Sequence, residues 1–584
     1  MTEANKPLDQ MTAQERLVLG RSYFKEGKFD EAIKALSSIR REEIDSETYA
    51  WAQYSLGVVY REQGNLDEAI TAWSKIRHDD DLKVYILAQL SLGIAYATSG
   101  NLDEAITAWS KIRREEIDSE TYALTQISLG EAYKVSNKPD EAITVLSKIR
   151  REEIDSETYA RAQFYLGEIH KGKGEIKQAK DAYRNVQGPF YYRAQREYRI
   201  LDCHPELIND LHNLAKNTDE VLKSLQIIPE FESKVAHYSR LSTAFDLFEG
   251  KKNEQKPSKF RLNTIRGVND PTEGLVLSDY WDQQGIPETI HTNDTATFIS
   301  CFTFNHDNLN QFRLYGKENG REATGVSLVF NKEFFSNQAD TLGFIAGPST
   351  DLSSKSEQIK LNETGKMEND NKKPLIGKST LYRCIYLDPE TEYWTLAQRD
   401  KSTFYREHNE DEDADAKEKW EEYYGLISEK EGSVETYLFG KEDSKIESVS
   451  SLLQSIFTED NLYNKCNKDE KQKILEAIRF ILFPLQYLVK HIAFREEQEC
   501  RIMYTTHLHD EKIRHNWEKQ WMYVEYKEQV LPHIDKIYLS PGSAKYQDFF
   551  RILLVQKEDD EPDKKEDKNE SKVRISQNPF RNKE

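Results

Sequence analysis

LGRSYFKEGKFDEAI, Leu19 to Ile33, decides the first half of the chain. Its landmarks are a Leu-Gly pair, a Tyr three residues on, a polar turn and an Asp-Glu-Ala-Ile block. The pair returns at Leu56-Gly57, Leu92-Gly93, Leu129-Gly130 and Leu166-Gly167, every 36 or 37 residues, and self-similarity at such a period marks a stacked array. Tyr60, Tyr96, Tyr133 and His170 follow in register, and the acidic block recurs from Asp67, Asp103 and Asp140. Two amphipathic helices joined by a Gly or Asn turn account for each repeat: Gly and Ala sit where helices cross closely, while Leu, Tyr and Ile fill the seam.

These residues resemble the tetratricopeptide family, whose unit of about 34 residues carries the same landmarks. The resemblance covers four repeats fully and the fifth in part, where Lys177-Gln178-Ala179 replaces the acidic block. The proline that commonly closes a repeat is missing. In its place stands RREEIDSETYA, near-identical at Arg40 to Ala50, Arg113 to Ala123 and Arg150 to Ala160; a shared peptide-binding surface and recent duplication both explain such copies. The resemblance implies a groove for an extended protein or peptide partner. Trp73 and Trp109 are either contact residues of that groove or part of the core.

Beyond residue 187 the pattern loosens. Residues 188–229, with Pro189, Pro205 and Pro229, read as a helical cap or linker over the last apolar face of the array. From 230 to 584, short apolar and aromatic runs alternate with turn residues, which argues strands, and helices are expected at Arg240 to Phe248, Ser448 to Phe457 and Asp469 to Val489. The fold class is therefore multidomain: an all-α tetratricopeptide-like solenoid, then an α+β domain. Polar insertions near 349–374 and 400–445 read as loops or appended helices.

The best candidate for chemistry is HIAFREEQECRIMY, His491 to Tyr504. Read as one strand, it puts Glu497, Glu499 and Arg501 on one face, since residues two apart point the same way. Two carboxylates and a guanidinium in an apolar frame must be wet, mutually paired or used. A ladder of surface charges on an edge strand is the plain alternative.

The stretches of this half, in order, resemble a bacterial family known as domain of unknown function 2971. The matching residues are His237-Tyr238; Asn269-Asp270-Pro271 with Glu273; Ile299-Ser300 with Phe302; Asp307-Asn308-Leu309 leading to Gln311, Arg313 and Tyr315-Gly316; Gly325 with Phe330; Phe494, Glu497, Glu499 and Arg501; Ser540-Pro541-Gly542; and Ser576 to Arg581. An early His, a central Ser-aromatic strand and a late Glu-x-Glu are also similar to the residue order of ADP-ribosyltransferases. That likeness implies NAD as the ligand, Glu499 stabilising positive charge on the nicotinamide ribose as the bond breaks, and Glu497 orienting the acceptor or acting as base. It implies that His237 holds the adenosine ribose, Ser300 supports the nicotinamide side and Arg313 takes a pyrophosphate oxygen, with Tyr238, Tyr315 and Arg501 also among the cofactor-binding residues. Residue order and fold analogy do not establish function.

Other classes stay open. Asp270, Glu273, Glu497 and Glu499 converging on Mg²⁺ would suit a phosphodiesterase or nuclease, with Lys490 as partner if its helix ends at the site. A non-catalytic scaffold with two binding surfaces is the alternative outside enzymes. There is no GxxxxGK[ST] loop for an ATPase and no Ser or Cys hydrolase motif.

A net charge of -21 over 584 residues argues against a broad nucleic-acid footprint. No run approaches the roughly 20 apolar residues of a membrane helix and no leader pattern opens the chain, which leads us to expect a cytoplasmic protein with no membrane partner. The five cysteines lack CxxC spacing, so free thiols and no metal centre are expected. Such a recogniser joined to an effector suits a bacterial toxin, a secreted effector or an anti-phage defence protein; oligomerisation is left open.

Overall fold

The computed structural model describes residues 7–578 apart from 251–255, 266–271, 290–294, 317–323, 337–340, 347–373, 409–415, 442, 459–460, 519 and 560–571. They form two units, one ending at Phe190 and one beginning at Tyr191.

The first unit is a run of helix pairs: α1 (Ala13–Lys25) with α2 (Phe29–Ser37), α3 (Ser46–Glu62) with α4 (Leu66–Ser74), α5 (Leu82–Thr98) with α6 (Leu102–Ser110), α7 (Ser119–Val135) with α8 (Pro139–Leu146), and α9 (Ser156–Gly172) with α10 (Ile176–Arg184). Within each pair the turn passes through a left-handed residue, Gly27, Gly64, Gly100, Asn137 or Gly174, which stops the first helix without a Cβ penalty in four of the five. The Gly of each Leu-Gly pair is where the second helix lands. A Cβ on Gly57 or Gly93 would strike the indole of Trp73 or Trp109, and both rings are buried. The two tryptophans belong to the core.

The RREEIDSETYA copies are connectors. In each, a 3-10 turn (Arg41–Glu43, Arg114–Glu116, Arg151–Glu153) precedes an aspartate, Asp45, Asp118 or Asp155, that caps the next helix through its backbone N–H groups, stabilising it by about 1 kcal/mol. Arginines of one connector reach carboxylates of the next, Arg41 to Asp80 and Arg114 to Glu153. Inter-repeat pairing is thus a physical reason for the copies to stay alike.

The second unit opens with α11 (Tyr191–Leu201) and α12 (Ile208–Leu225). The sequence assigns 188–229 to a cap or linker. Here Tyr192, Leu211, Leu214 and Leu222 instead enter the same apolar cluster as Trp281, Leu452 and Ile478 of the second unit, because their buried stripe needs more surface than a cap would meet. The chain continues through β1 (Lys234–Arg240), α13 (Leu241–Phe248), β2 (Arg261–Thr264), α14 (Val276–Asp282), β3 (Thr295–Thr303), α15 (Leu309–Tyr315) and β4 (Gly325–Asn331). Next come β5 (Tyr382–Arg383), β6 (Ile385–Leu387), β7 (Trp394–Leu396), α16 (Lys401–His408), α17 (Ala416–Val434), α18 (Val449–Phe457), α19 (Leu462–Lys465) and α20 (Lys468–Leu482). It ends with β8 (Val489–His491), β9 (Glu499–His507), β10 (Arg514–Asn516), β11 (Trp521–Glu525), β12 (Ile534–Leu539), α21 (Gln547–Asp559) and β13 (Val573–Ile575).

One large sheet runs β10-β11-β2-β3-β1-β4-β12-β13, and β9 lies along β3 from Thr295↔His507 to Thr303↔Glu499. β3 is the hub. β9 covers one of its edges; the other is divided between β2, paired at Ile299 and Phe298, and β1, paired only at Ala236↔Thr303. A second sheet, β7-β6-β8, is joined to the first at Cys384, where the chain leaves β5 for β6.

Two expectations fail locally. The helix expected to reach Val489 stops at Leu482, because Pro484 supplies no N–H and starts a 3-10 turn; the residues after it form β8. The segment from His491 to Tyr504 is not one strand. Ile492–Glu497 is a 3-10 turn, Gln498 is left-handed at φ 44°, and the strand begins at Glu499. Among the described residues, no helix is long and apolar enough to cross a membrane. Of the insertions, 349–374 lies outside the described residues up to residue 373, whereas 400–445 supplies α16 and α17.

Candidate active-site cavity

Where β1 parts from β3, a cavity of about 600 Å³ opens. Its floor is built from the junction of the two sheets. β8 of the small sheet brings Lys490, and β9 of the large one brings Glu499 and Arg501. The left-handed turn at Gln498 directs Glu497 to the same ammonium: Lys490 Nζ donates to Glu497 Oε2 and to Glu499 Oε2, each at 2.6 Å. Thr303 Oγ1 donates to the Glu497 carbonyl at 2.7 Å, and the Glu499 amide donates to Tyr386 Oη at 2.7 Å, which fixes the backbone on both sides of the turn.

Arg501 is 1% exposed and fully spent. Nε donates to Glu499 Oε1 at 2.6 Å and Nη2 to Glu499 Oε2 at 3.2 Å, while Nη1 and Nη2 reach the two oxygens of Glu273 at 2.5 and 3.0 Å. Nη1 also donates to the Tyr487 carbonyl at 2.6 Å. A guanidinium has five N–H groups, and all five are used. The floor therefore holds three carboxylates and two cations, all buried.

Proton affinities at the floor divide accordingly. Burial disfavours the charge on Glu499, but Arg501 and Lys490 on either side override it and hold the carboxyl far below its ordinary range. Burial raises Glu497, which has Lys490 but no guanidinium to offset it, so it sits above the usual carboxylate value. Glu499 is a fixed anion and Glu497 is the group that can take up a proton. Burial and Glu499 push the Cys301 thiol up, and burial pushes up the Tyr315 hydroxyl, which donates to Glu497 Oε1 at 3.3 Å.

His237, Ser300, Tyr315, Glu497, Glu499 and Arg501 all line this cavity, whereas Tyr238 and Arg313 do not. His237 spans the gap left by β1: its Nδ1 donates to the Cys301 carbonyl at 2.9 Å. Burial lowers its pKa, so the ring is neutral and Nε2 is the acceptor. Tyr238 points the other way along β1, and its hydroxyl donates to the Asn305 carbonyl at 2.9 Å while accepting the Asn308 amide at 2.7 Å; it braces a loop. Arg313 is exposed on α15, because α15 turns its apolar side, with Phe312, inward. Arg501, expected to bind the cofactor, has no donor left for one. Asp270 lies outside the described residues, and Glu273, considered with it for Mg²⁺, is bidentate to Arg501. Among the described residues there is no cluster of three or more His, Cys, Asp or Glu arranged to hold a metal ion.

The wall across from the floor was missed from sequence. It consists of Arg261 and Asn263 on β2 and Trp521 and Tyr523 on β11. The alternation of Phe260 and Leu262 with Arg261 and Asn263, and of Trp521 and Tyr523 with Met522 and Val524, is the signal that sets one polar-aromatic face toward the cavity.

No curated protein matches the chain. Solved structures resemble its helical repeats. MamA is 23% identical, with a TM-score of 0.24, over 30% of this chain and 89% of that one. A Podosopora anserina putative kinesin light chain with nearly identical TPR-like repeats is 20% identical, with a TM-score of 0.24, over 31% and 95%. A tetratricopeptide repeat protein from Parabacteroides merdae ATCC 43184 is 16% identical, with a TM-score of 0.27, over 32% and 73%. The family model that matches, over residues 17–75, is that of the tetratricopeptide repeat, and the N-terminal unit as a whole is a tetratricopeptide-like helical solenoid.

Proposed function

We propose that the repeat array recognises a protein partner and that the cavity of the second unit carries out NAD-linked chemistry, transferring or releasing the ADP-ribosyl group. The observation behind this reading is that His237, Ser300, Glu497 and Glu499, from three separate segments, line one cavity of about 600 Å³, a size within the usual range for ligand sites. In such chemistry the bond to nicotinamide breaks as positive charge grows on the sugar. The division of labour differs from the one implied by residue order. Glu499, clamped by two cations, holds Lys490 and Arg501 in place. Glu497, whose Oε1 holds only the 3.3 Å contact from the Tyr315 hydroxyl, has the elevated pKa that suits a general acid or base. His237 offers a neutral acceptor at Nε2 on the opposite side. The Mg²⁺ reading is weaker, since Glu273 and Glu499 are already saturated by Arg501 and Lys490, and an ion would have to displace them.

The test is nicotinamide release from NAD by the purified whole chain. Glu497→Gln should abolish release with the melting temperature kept, and Glu499→Gln should lower the melting temperature as well, because it strips both cations of a partner. Turnover that survives Glu497→Gln would overturn the assignment.

A further inference from the structure

The cavity carries one cation that its floor does not use. The Arg261 guanidinium lies over the ring of Tyr523, with Cζ 4.3 Å from the ring centroid. Strand pairing sets this up: across the β2–β11 ladder Asn263 is opposite Tyr523, and Arg261 is opposite Glu525. Glu525 approaches only Nε, at 3.9 Å, too far for a hydrogen bond, and Nε is buried without a partner. Among the described residues, Nη1 and Nη2 make no hydrogen bond either. The other cations at the cavity already have partners. Arg501 and Lys490 belong to the carboxylates, and Lys259 donates to the Lys527 carbonyl at 2.8 Å.

A guanidinium set over a ring, with its outer fork unsatisfied, can offer a planar pair of hydrogen bonds to phosphate oxygens. Trp521, 41% exposed, lines the same cavity, and an aromatic side chain there suits contact with a flat ring. We infer that Arg261, with Tyr523 and Trp521, forms an anion-and-ring subsite for the phosphate end of a nucleotide, in place of Arg313. This rests on the cavity being a nucleotide site. It adds the place and polarity of the ligand: phosphate and base at the β2–β11 wall, reacting sugar at Glu497.

The experiment is calorimetric titration of the whole chain with ADP and with adenosine, beside nicotinamide release. ADP should bind; Arg261→Gln should weaken it about ten- to a hundredfold, the value of a charge-assisted pair, and leave adenosine unchanged. Arg261→Lys, which keeps the charge and loses the fork, should recover part of the loss. Absence of ADP binding by the unaltered chain, equal ADP affinity in Arg261→Gln, or a matching loss for adenosine would each overturn the subsite. If ADP binding depends on Arg261 and Glu497→Gln leaves release untouched, the subsite stands and the proposed chemistry falls.

Discussion

Lys490→Met tests the charge balance at the cavity floor most directly. Lys490 is 5% exposed on its side chain and, among the described residues, is the one cation in contact with Glu497. Methionine keeps most of the stem's volume, so packing changes little. Without the ammonium, Glu499 still has Arg501 at 2.6 Å, whereas Glu497 is left with the Tyr315 hydroxyl at 3.3 Å. Removing one member of a buried pair typically costs about 3–5 kcal/mol. Glu497, however, can escape by taking up a proton.

That escape limits the penalty and makes it depend on pH. Neutralising a carboxyl of ordinary pKa costs about 1.4 kcal/mol for each pH unit above about 4.3, which caps the penalty near 1.6 kcal/mol at about pH 5.5 and near 5 kcal/mol at about pH 8. The sign is set by the direction of the shift. Burial already raises Glu497 in the native protein, and loss of Lys490 raises it further. Between its unfolded and folded pKa the folded state binds more protons, so stability falls as pH rises through that window. Lys490→Met should therefore be mild near pH 5.5 and severe near pH 8, the loss growing by up to about 3.4 kcal/mol. Urea denaturation of the whole chain, followed through hydrogen-exchange protection of the Glu499–His507 peptide, reports on this region. Adding Glu497→Gln should flatten the pH dependence. Equal destabilisation at both pH values, or a double variant with the slope of the single one, would refute the charge balance.

Local geometry sets the outcome of other perturbations. Gly57→Ala drives a Cβ into the Trp73 indole; overpacking costs about 1–3 kcal/mol or more and outweighs the gain of about 1 kcal/mol in helix propensity, so thermal denaturation should show a loss. Gly172→Ala, with open space around it, should show no such loss. At Gln498 (φ 44°), valine should destabilise by about 1–2 kcal/mol more than glycine, because only glycine takes the left-handed region freely; equal melting points would refute this. Cys301, whose thiol burial and Glu499 push up, should resist iodoacetamide in the folded chain and react once unfolded, as read by peptide mass spectrometry.

The repeats were legible because each is a local unit copied at a fixed period, and even the departure from the family's closing proline had a local meaning as a 3-10 turn and a capping aspartate. The cavity was legible only in part. A period of two predicts that Glu497, Glu499 and Arg501 share a face. The carboxylates do converge on Lys490, but by way of a left-handed Gln498. Pro484 carried the signal that the long helix ends early and leaves room for β8. Arg501 read as a ligand-binding cation because its main claimant, Glu273, is 228 residues away in sequence. Tyr238 and Arg313 were misplaced for a similar reason, since neither the bracing of the loop after β3 nor the outward side of α15 can be read from residue order.

The same geometry decides which glutamate can react. An anion clamped between an ammonium and a guanidinium has its field largely cancelled and its proton affinity suppressed; it holds neighbours in place and cannot exchange a proton near neutral pH. Two residues earlier, Glu497 shares only the ammonium and is raised by burial. Paired carboxyl groups whose surroundings push their proton affinities apart are a common basis for assigning acid and base roles. Here the separation comes from a single asymmetry: Arg501, anchored from the far side by Glu273, reaches Glu499 and stops short of Glu497. If Glu273→Gln loosened Arg501 enough to contact Glu497, the two carboxyls would converge in proton affinity, and any pH optimum of nicotinamide release would shift downward as Glu497 lost its elevation; an optimum that stayed put would mean that Glu273 does not set the asymmetry.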